Sequence, residues 1–137
     1  MSQSTVNGSC LCGAVRYGVN EQMKYLCNCH CESCRRGSGA PYVAWGTVDR
    51  GDFAVTAGTL SIIQSSPDVE RGFCGDCGAS LTYANSHRVG EIDITLATLD
   101  RPEEFMPRSH IWVEDKLPWV VIADDLPQYQ TTVSAND

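Results

Sequence analysis

The sequence predicts a mainly β fold, a compact single domain of short antiparallel strands that binds zinc. Three observations favour this fold class. Apolar and polar residues alternate over short segments, turn-forming residues separate those segments, and eight cysteines occur at spacings typical of metal ligands. A chain of 137 residues with 42% hydrophobic residues has room for one domain and one core.

Two segments alternate most clearly and predict strands with one buried face. Val15, Tyr17 and Val19 alternate with Arg16 and Gly18. The same spacing occurs between 92 and 96, where isoleucine and leucine alternate with aspartate and threonine. Turn signals at 49–52, 57–58, 65–68 and 85–87 separate further predicted strands. These strands span residues 42–48, 53–56, 59–64, 69–73, 80–83 and 119–122.

Helical signals are few. Residues 32–37 predict one turn, and residues 102–105 predict another, with Asp100 as its N-cap. The polar ends predict flexible termini at 1–7 and 131–137, which leaves a zinc-binding domain at 8–130.

Charge and hydropathy exclude several classes of protein. The net charge is −7, whereas a sequence-independent nucleic-acid binder needs a basic surface. No apolar run reaches the length of a membrane span, and the polar N-terminus has no secretory signal. We therefore expect a cytoplasmic protein that binds neither nucleic acid nor membrane. In that compartment thiols stay reduced, so eight cysteines indicate metal binding more than disulfides.

Four cysteines predict a closed structural zinc site. Cys74 and Cys77 flank a tight turn that is followed by a glycine, as in a zinc knuckle. Cys10 and Cys12 are the natural second pair, because residues i and i+2 of a strand point to the same face. The ion would then join parts of the chain that are separated by 61 residues.

A denser group predicts a second zinc ion with one open position. Cys29, Cys31 and Cys34 can converge on one ion and leave the fourth place to water or substrate. Cys27 lies on the same strand face as Cys29, but alternate strand residues are about 6.6 Å apart, so we expect Cys27 nearby and unbound. If Cys27 did reach the ion, the site would be closed and structural.

The three histidines are not predicted as ligands. His30 would project away from Cys29 and Cys31 in a regular strand, which predicts a surface or packing residue. His87 lies in a polar turn and is expected in solvent, and His110 precedes an apolar strand, where packing is the expected role.

The order of these motifs is similar to that of the glutathione-dependent formaldehyde-activating enzyme family, also called the GFA/CENP-V domain. The resemblance covers about residues 8–129. It is carried by GSCLCGAVRY (8–17), CHCESCRR (29–36), GAPY (39–42), SSP (65–67), RGFCGDCG (71–78), LD (99–100), PRSHIW (107–112) and PW (118–119).

This resemblance implies a compact β fold like that of a small zinc-binding chaperone of Rab GTPases. It also implies two zinc ions, one held by Cys10, Cys12, Cys74 and Cys77 and one held openly by Cys29, Cys31 and Cys34. The implied activity is carbon–sulfur bond chemistry, in which the thiol of glutathione adds to formaldehyde.

Glutathione is anionic, so the implied activity calls for cationic anchors. Arg35, Arg36 and Arg71 lie beside the cysteines and are candidates for binding its carboxylates. Compensating the charge of the thiolates is the alternative role for each arginine. The alternative functions are a non-catalytic zinc module that carries a thiol or binds a protein, and an iron site of rubredoxin type. The sequence leaves the oligomeric state open.

Overall fold

A computed structural model describes residues 5–133, and it is mainly β as predicted. This part of the chain holds ten strands, one α-helix and four single-turn 3-10 helices. The strands are β1 (Thr5–Ser9), β2 (Arg16–Asn20), β3 (Leu26–Cys29), β4 (Val43–Asp49), β5 (Phe53–Ala57), β6 (Leu60–Ser66), β7 (Val69–Cys74), β8 (Ser80–Asn85), β9 (Glu91–Thr95) and β10 (Ser109–Ile111). The α-helix is α1 (Glu32–Ser38), and the 3-10 helices are Arg50–Asp52, Leu96–Thr98, Pro102–Glu104 and Val113–Asp115.

The strands form two sheets. The smaller sheet has the order β1-β2-β5, and the larger has the order β10-β3-β4-β9-β8-β7-β6. Every pair of named strands is antiparallel, as predicted, except β10 and β3, which run parallel. A parallel partner requires a long return of the chain, and here more than 70 residues separate β3 from β10.

The main core joins side chains from both sheets. Tyr17 and Val19 of β2 pack in one cluster with Leu81 of β8 and Ile94 of β9. These four side chains are almost fully buried. Alternation around Tyr17, Val19 and Ile94 is what predicted β2 and β9, because only one face of each sheet meets this core.

Two predicted elements differ from the structure. Residues 119–122 form no strand, and Trp119 and Val121 are 70% and 84% exposed. The edge of β10 is instead paired by a later segment, where the Tyr129 amide donates to the His110 carbonyl at 2.9 Å. A short apolar run therefore gave a wrong strand, because pairing partners are set by tertiary structure.

The second difference concerns capping. The 3-10 helix Pro102–Glu104 has Arg101 at its N-cap, and not Asp100 as predicted. The Asp100 carboxylate accepts from Arg16 at 2.6 Å, so it is used in an ion pair between distant segments. The turn predicted at 32–37 is the two-turn helix α1, which ends at Gly39 with φ +72°.

The predicted flexible termini are partly wrong. Residues 5–7 belong to β1, which pairs along its length with β2. Residues 1–4 and 134–137 of the predicted termini lie outside the described residues. Among residues 5–133, no helix combines the length and the apolar character that crossing a membrane would require.

All the cysteines except Cys27 lie at strand ends or in the connections that follow them. Cys10 and Cys12 lie between β1 and β2, and Cys74 and Cys77 lie at the β7–β8 turn. Cys29, Cys31 and Cys34 span the end of β3 and the start of α1. The fold thus presents its chemistry-bearing residues from strand ends, which is where a rigid sheet can position loops.

We predict that Gly8→Ala destabilises the fold by about 1–3 kcal/mol, because overpacking forces neighbouring groups to move. Gly8 faces Tyr17 across the β1–β2 pair, and a Cβ atom at residue 8 would overlap the Tyr17 ring. That ring cannot move freely, since it is buried and its hydroxyl is 2.7 Å from Thr98 Oγ1. Urea denaturation measures the change. Gly51→Ala is the control, because a Cβ atom there meets nothing within 4 Å. Equal stability of the two variants would contradict the prediction.

Candidate metal centres

The first pair of cysteines is brought together by a turn. Cys10 and Cys12 follow the end of β1, and the Cys10 amide donates to the Val15 carbonyl at 3.0 Å. Gly13 has φ +82°, a conformation that favours glycine. We predicted that Cys10 and Cys12 would converge because they alternate along a strand. The two sulfurs do converge, but a turn and not a strand brings them together.

The second pair lies on a knuckle at the end of β7. The amide of Gly78 donates to the Cys74 carbonyl at 2.8 Å, and the amide of Cys77 points at Cys74 Sγ at 3.4 Å. Gly78 has φ +80°, as the glycine after the second cysteine suggested. The knuckle therefore holds Cys77 close to the Cys74 sulfur, and both sulfurs belong to one group of four.

A backbone amide also points at the sulfur of Cys10 and changes its pKa. The Val15 amide lies 3.3 Å from Cys10 Sγ, and this hydrogen bond lowers the pKa of the thiol to about 6. A thiol with that pKa is largely ionised at neutral pH. Cys10 therefore supplies one thiolate to the first cluster, which is the group formed by Cys10, Cys12, Cys74 and Cys77.

The four sulfurs of the first cluster have the separations of a metal tetrahedron. Cys12 Sγ lies 3.7 Å from Cys10 Sγ and 3.8 Å from Cys74 Sγ, and all four sulfurs lie within 4.8 Å of one another. Zinc–sulfur bonds of about 2.3 Å give a tetrahedron edge of about 3.8 Å. All eight cysteines are free thiols. The number, type and spacing of these donors fit a tetrahedral zinc ion.

The second cluster lies where β3 passes into α1. Cys29 is the last residue of β3, Cys31 is the N-cap of α1, and Cys34 is in its first turn. Their three sulfurs lie within 4.8 Å of one another. The Cys34 amide donates to Cys31 Sγ at 3.4 Å, as in the first knuckle. Hydrogen bonds from the thiols of Cys29 and Cys34 lower the pKa of Cys31.

The second cluster contains three candidate ligands and not four. Among residues 5–133, no fourth Cys, His, Asp or Glu joins these sulfurs within 4.8 Å. Cys27 lies two residues before Cys29 in β3 and pairs with Trp45 of β4. Burial raises the pKa of the Cys27 thiol to about 12, so this thiol stays protonated. Cys29 and Cys34 are buried while Cys31 is partly exposed, so the cluster faces outward on the Cys31 side.

A cavity of about 590 Å³ is lined by Ser33, which lies between Cys31 and Cys34, and by Gly78, which follows Cys77, but by no cysteine. It separates α1 from the β6–β7 hairpin, and Ser33, Arg36, Ser65, Arg71 and Tyr83 are among the residues that line it. The Tyr83 side chain also packs against the second cluster, so one ring forms a wall of both.

Two of the three predicted arginine anchors line this cavity. Arg71 Cζ lies 5.0 Å from the centre of the Tyr83 ring, and its Nε donates to Ser65 Oγ at 3.2 Å. Arg36 also lines the cavity but donates to Glu32 at 2.9 Å. Arg35 does not line it, and its buried Nε has no hydrogen-bond partner within the described residues.

The histidines are placed differently from one another. His87 is exposed, as predicted, and lies 3.1 Å from Asp68. His30 and His110 are buried, and their rings are joined by a hydrogen bond of 3.0 Å between Nε2 and Nδ1. His110 Nε2 in turn lies 2.9 Å from Asp124 Oδ2. Sequence reasoning missed Asp124, because no local pattern links it to either histidine.

Fold and site together define a small β-sheet protein with two clusters of thiols, each suited to a metal ion. The sequence profile of one family, described as "Glutathione-dependent formaldehyde-activating enzyme" (GFA), matches residues 5–115. The chain belongs to this enzyme family, which confirms the resemblance found in its motifs.

The relatives agree with this family. A Halomonas elongata protein, whose name proposes a glutathione-dependent formaldehyde-activating enzyme, is 34% identical, and the match covers 85% of this chain and 80% of the relative. An uncharacterised lyase of Schizosaccharomyces pombe is 33% identical, with 80% of this chain and 79% of the relative covered. A crystal structure of a Rhodobacter sphaeroides protein has a TM-score of 0.59 at 26% identity. That match covers 74% of this chain and 97% of that one.

We predict that Cys74→Ala and Cys34→Ala differ strongly in stability. Loss of Cys74 breaks a four-thiol cluster that joins two distant turns. The unfolded chain has no such site, so the free energy of metal binding there adds to the free energy of folding. The expected loss is on the order of several kcal/mol for Cys74→Ala and much less for Cys34→Ala. Thermal unfolding and metal content per chain measure both effects.

Cys27→Ala is the matched control, since it removes a thiol outside both clusters. It should keep both metal ions and most of the stability. Equal melting losses in the Cys74 and Cys34 variants would contradict the division of the seven clustered cysteines into a structural group of four and a reactive group of three.

Proposed function

We propose that this protein makes and breaks the carbon–sulfur bond between glutathione and formaldehyde at the Cys29/Cys31/Cys34 cluster. The observation that carries the proposal is the position of a three-thiol cluster next to a cavity that contains Arg71, an arginine with no acidic partner among residues 5–133. Membership of the GFA family supports the same substrates. The H. elongata relative is named for this activity, and the S. pombe relative is named a lyase.

The two clusters would hold two zinc ions with different tasks. Four thiols complete a tetrahedron, so Cys10, Cys12, Cys74 and Cys77 would hold a structural ion. The second cluster supplies three ligands, and a fourth position would remain for the substrate. When bound there, zinc supplies Lewis acidity that lowers the pKa of a thiol or polarises a carbonyl.

Arg71 is the strongest candidate for binding glutathione. Its Nε is fixed by Ser65 and its guanidinium lies on the Tyr83 ring, so its orientation is set before a ligand arrives. No acidic side chain pairs with it in residues 5–133, which leaves its outer nitrogens for a carboxylate. Arg36 would have to exchange its pairing with Glu32 to contribute. Arg35 is a weaker candidate than we predicted, because it lies outside the cavity.

The reaction balances with these two substrates alone. The thiol of glutathione loses its proton, its sulfur forms a bond to the carbon of formaldehyde, and the carbonyl π bond breaks. The oxygen takes up one proton, which gives S-hydroxymethylglutathione, and the reverse sequence releases both substrates. Arg71 and Tyr83 hold the peptide portion, and the wall of the cavity keeps the thiol beside the second cluster. We place this reaction in the cytoplasm, where glutathione and cysteine thiols are reduced.

Nuclear magnetic resonance of carbon-13 formaldehyde with glutathione tests the function. The zinc-loaded protein should accelerate exchange between free formaldehyde and S-hydroxymethylglutathione above the uncatalysed rate. The variant Cys34→Ala should lose this acceleration. No acceleration at two zinc ions per chain would contradict the enzymatic function.

Binding of glutathione without acceleration, measured by calorimetry, would favour the alternative of a thiol carrier. A red, iron-loaded protein would contradict zinc as the metal.

Arg71→Ala should raise the KM for glutathione about tenfold, the equivalent of roughly 1.4 kcal/mol, because one charged hydrogen-bonding partner is lost. The kcat should change much less, since the thiols remain in place. Steady-state kinetics of the exchange reaction separate the two constants.

Arg50→Ala is the matched control, because Arg50 is an exposed arginine outside the cavity. The control should leave both constants unchanged. A tenfold effect in both variants would indicate that general charge, and not the position of Arg71, attracts glutathione.

A further inference from the structure

A chain of three side chains connects the second cluster to the protein surface. His30 is completely buried, His110 is 3% exposed, and the Asp124 side chain is 44% exposed. The hydrogen bonds between them are 3.0 Å and 2.9 Å long. Eighty residues separate the two histidines along the sequence, so only the tertiary fold brings this chain together.

His30 holds a special place in the second cluster. It is the single residue between Cys29, which ends β3, and Cys31, which is the N-cap of α1. The direction of its backbone therefore fixes how the two sulfurs stand relative to each other. A residue of this kind controls a metal site without touching the metal.

His30 is held from three sides. Its amide donates to the Ile111 carbonyl at 3.0 Å, its ring lies 4.9 Å from the Tyr42 ring, and its Nε2 meets His110. The Asp124 carboxylate can only accept, so His110 Nε2 donates to it. When both rings are neutral, His110 Nδ1 then accepts from His30 Nε2, which fixes the orientation of His30.

Stability alone does not explain this chain. His30 Nδ1 is buried and has no hydrogen-bond partner in the described part of the protein. A buried polar atom without a partner costs free energy, and an apolar side chain at this place would avoid the cost. Buried polar networks of this type fix one geometry in preference to others.

We propose that Asp124 and His110 are positioning residues for the second metal site. They orient His30, and His30 sets the backbone that carries Cys29 and Cys31. The inference rests on the proposed metal at this cluster. It adds that a partly exposed carboxylate, 90 residues from the nearest ligand Cys34, tunes how tightly that metal is held.

The test uses cobalt(II) as the probe in the full-length protein. Metal-free wild type, Asp124→Ala, Asp124→Asn and Asp125→Ala are titrated with cobalt in competition with a chelator of known affinity. Absorption bands of thiolate-bound cobalt report each site. The variant Cys34→Ala, which keeps the first cluster intact, identifies the bands that belong to the second.

Asp124→Ala should weaken cobalt binding at the second cluster about tenfold or more and leave the first cluster unchanged. Asp124→Asn should bind within about twofold of wild type, since an amide oxygen can still accept from His110. Asp125→Ala makes the same change of charge one residue away, at an exposed carboxylate with no hydrogen bond or ion pair within the described residues, and it should match wild type.

Four outcomes would overturn the inference. These are unchanged binding at the second cluster in Asp124→Ala, equal weakening at both clusters, equal effects in Asp124→Ala and Asp125→Ala, and an Asp124→Asn variant as weak as Asp124→Ala. A wild-type second cluster that binds no cobalt would overturn the inference together with the proposed site. Two bound metals without catalysis would contradict the proposed function and leave the inference standing, because this test measures the resting protein.

Discussion

The meeting of four thiols from two distant turns is the constraint on which the rest of the structure depends. Cys10 and Cys12 follow the first strand of the small sheet, while Cys74 and Cys77 lie at a turn of the large sheet. Their sulfurs are as close as the corners of a zinc tetrahedron. A metal ion bound by these four thiols would close a long loop and so would fix how the two sheets face each other over the common core.

The two clusters share one local hydrogen-bond arrangement but differ in their number of ligands. In each, an amide of the following turn points at the sulfur of the first cysteine of a C-x-x-C pair, from Cys77 to Cys74 and from Cys34 to Cys31. The first cluster is completed by two more cysteines, whereas the second receives one, from the end of β3. The difference in ligand number follows from which strand ends next to each turn. In the function we propose, this difference suits the first cluster to holding the fold and the second to chemistry.

The surroundings of the second cluster come from every part of the chain. The β6–β7 hairpin brings Arg71, β8 brings Tyr83, and the C-terminal segment brings Asp124 through His110. Local sequence identified the cysteines because metal ligands have characteristic spacings. It could not identify Asp124, which has no spacing relation to His30 or His110. It also could not show that Arg35 lies outside the cavity, because adjacency in sequence to Cys34 says nothing about which side of α1 faces the cavity.

What the sequence by itself determined was the pattern of short strands, the grouping of seven cysteines into four and three, and the family. Alternation and ligand spacing are local properties, and they are visible without coordinates. Only the tertiary structure decided that Cys10 and Cys12 meet in a turn, that residues 119–122 form no strand, and that β10 runs parallel to β3. These features depend on contacts between segments far apart in the chain, and local patterns carry no information about which distant partner prevails.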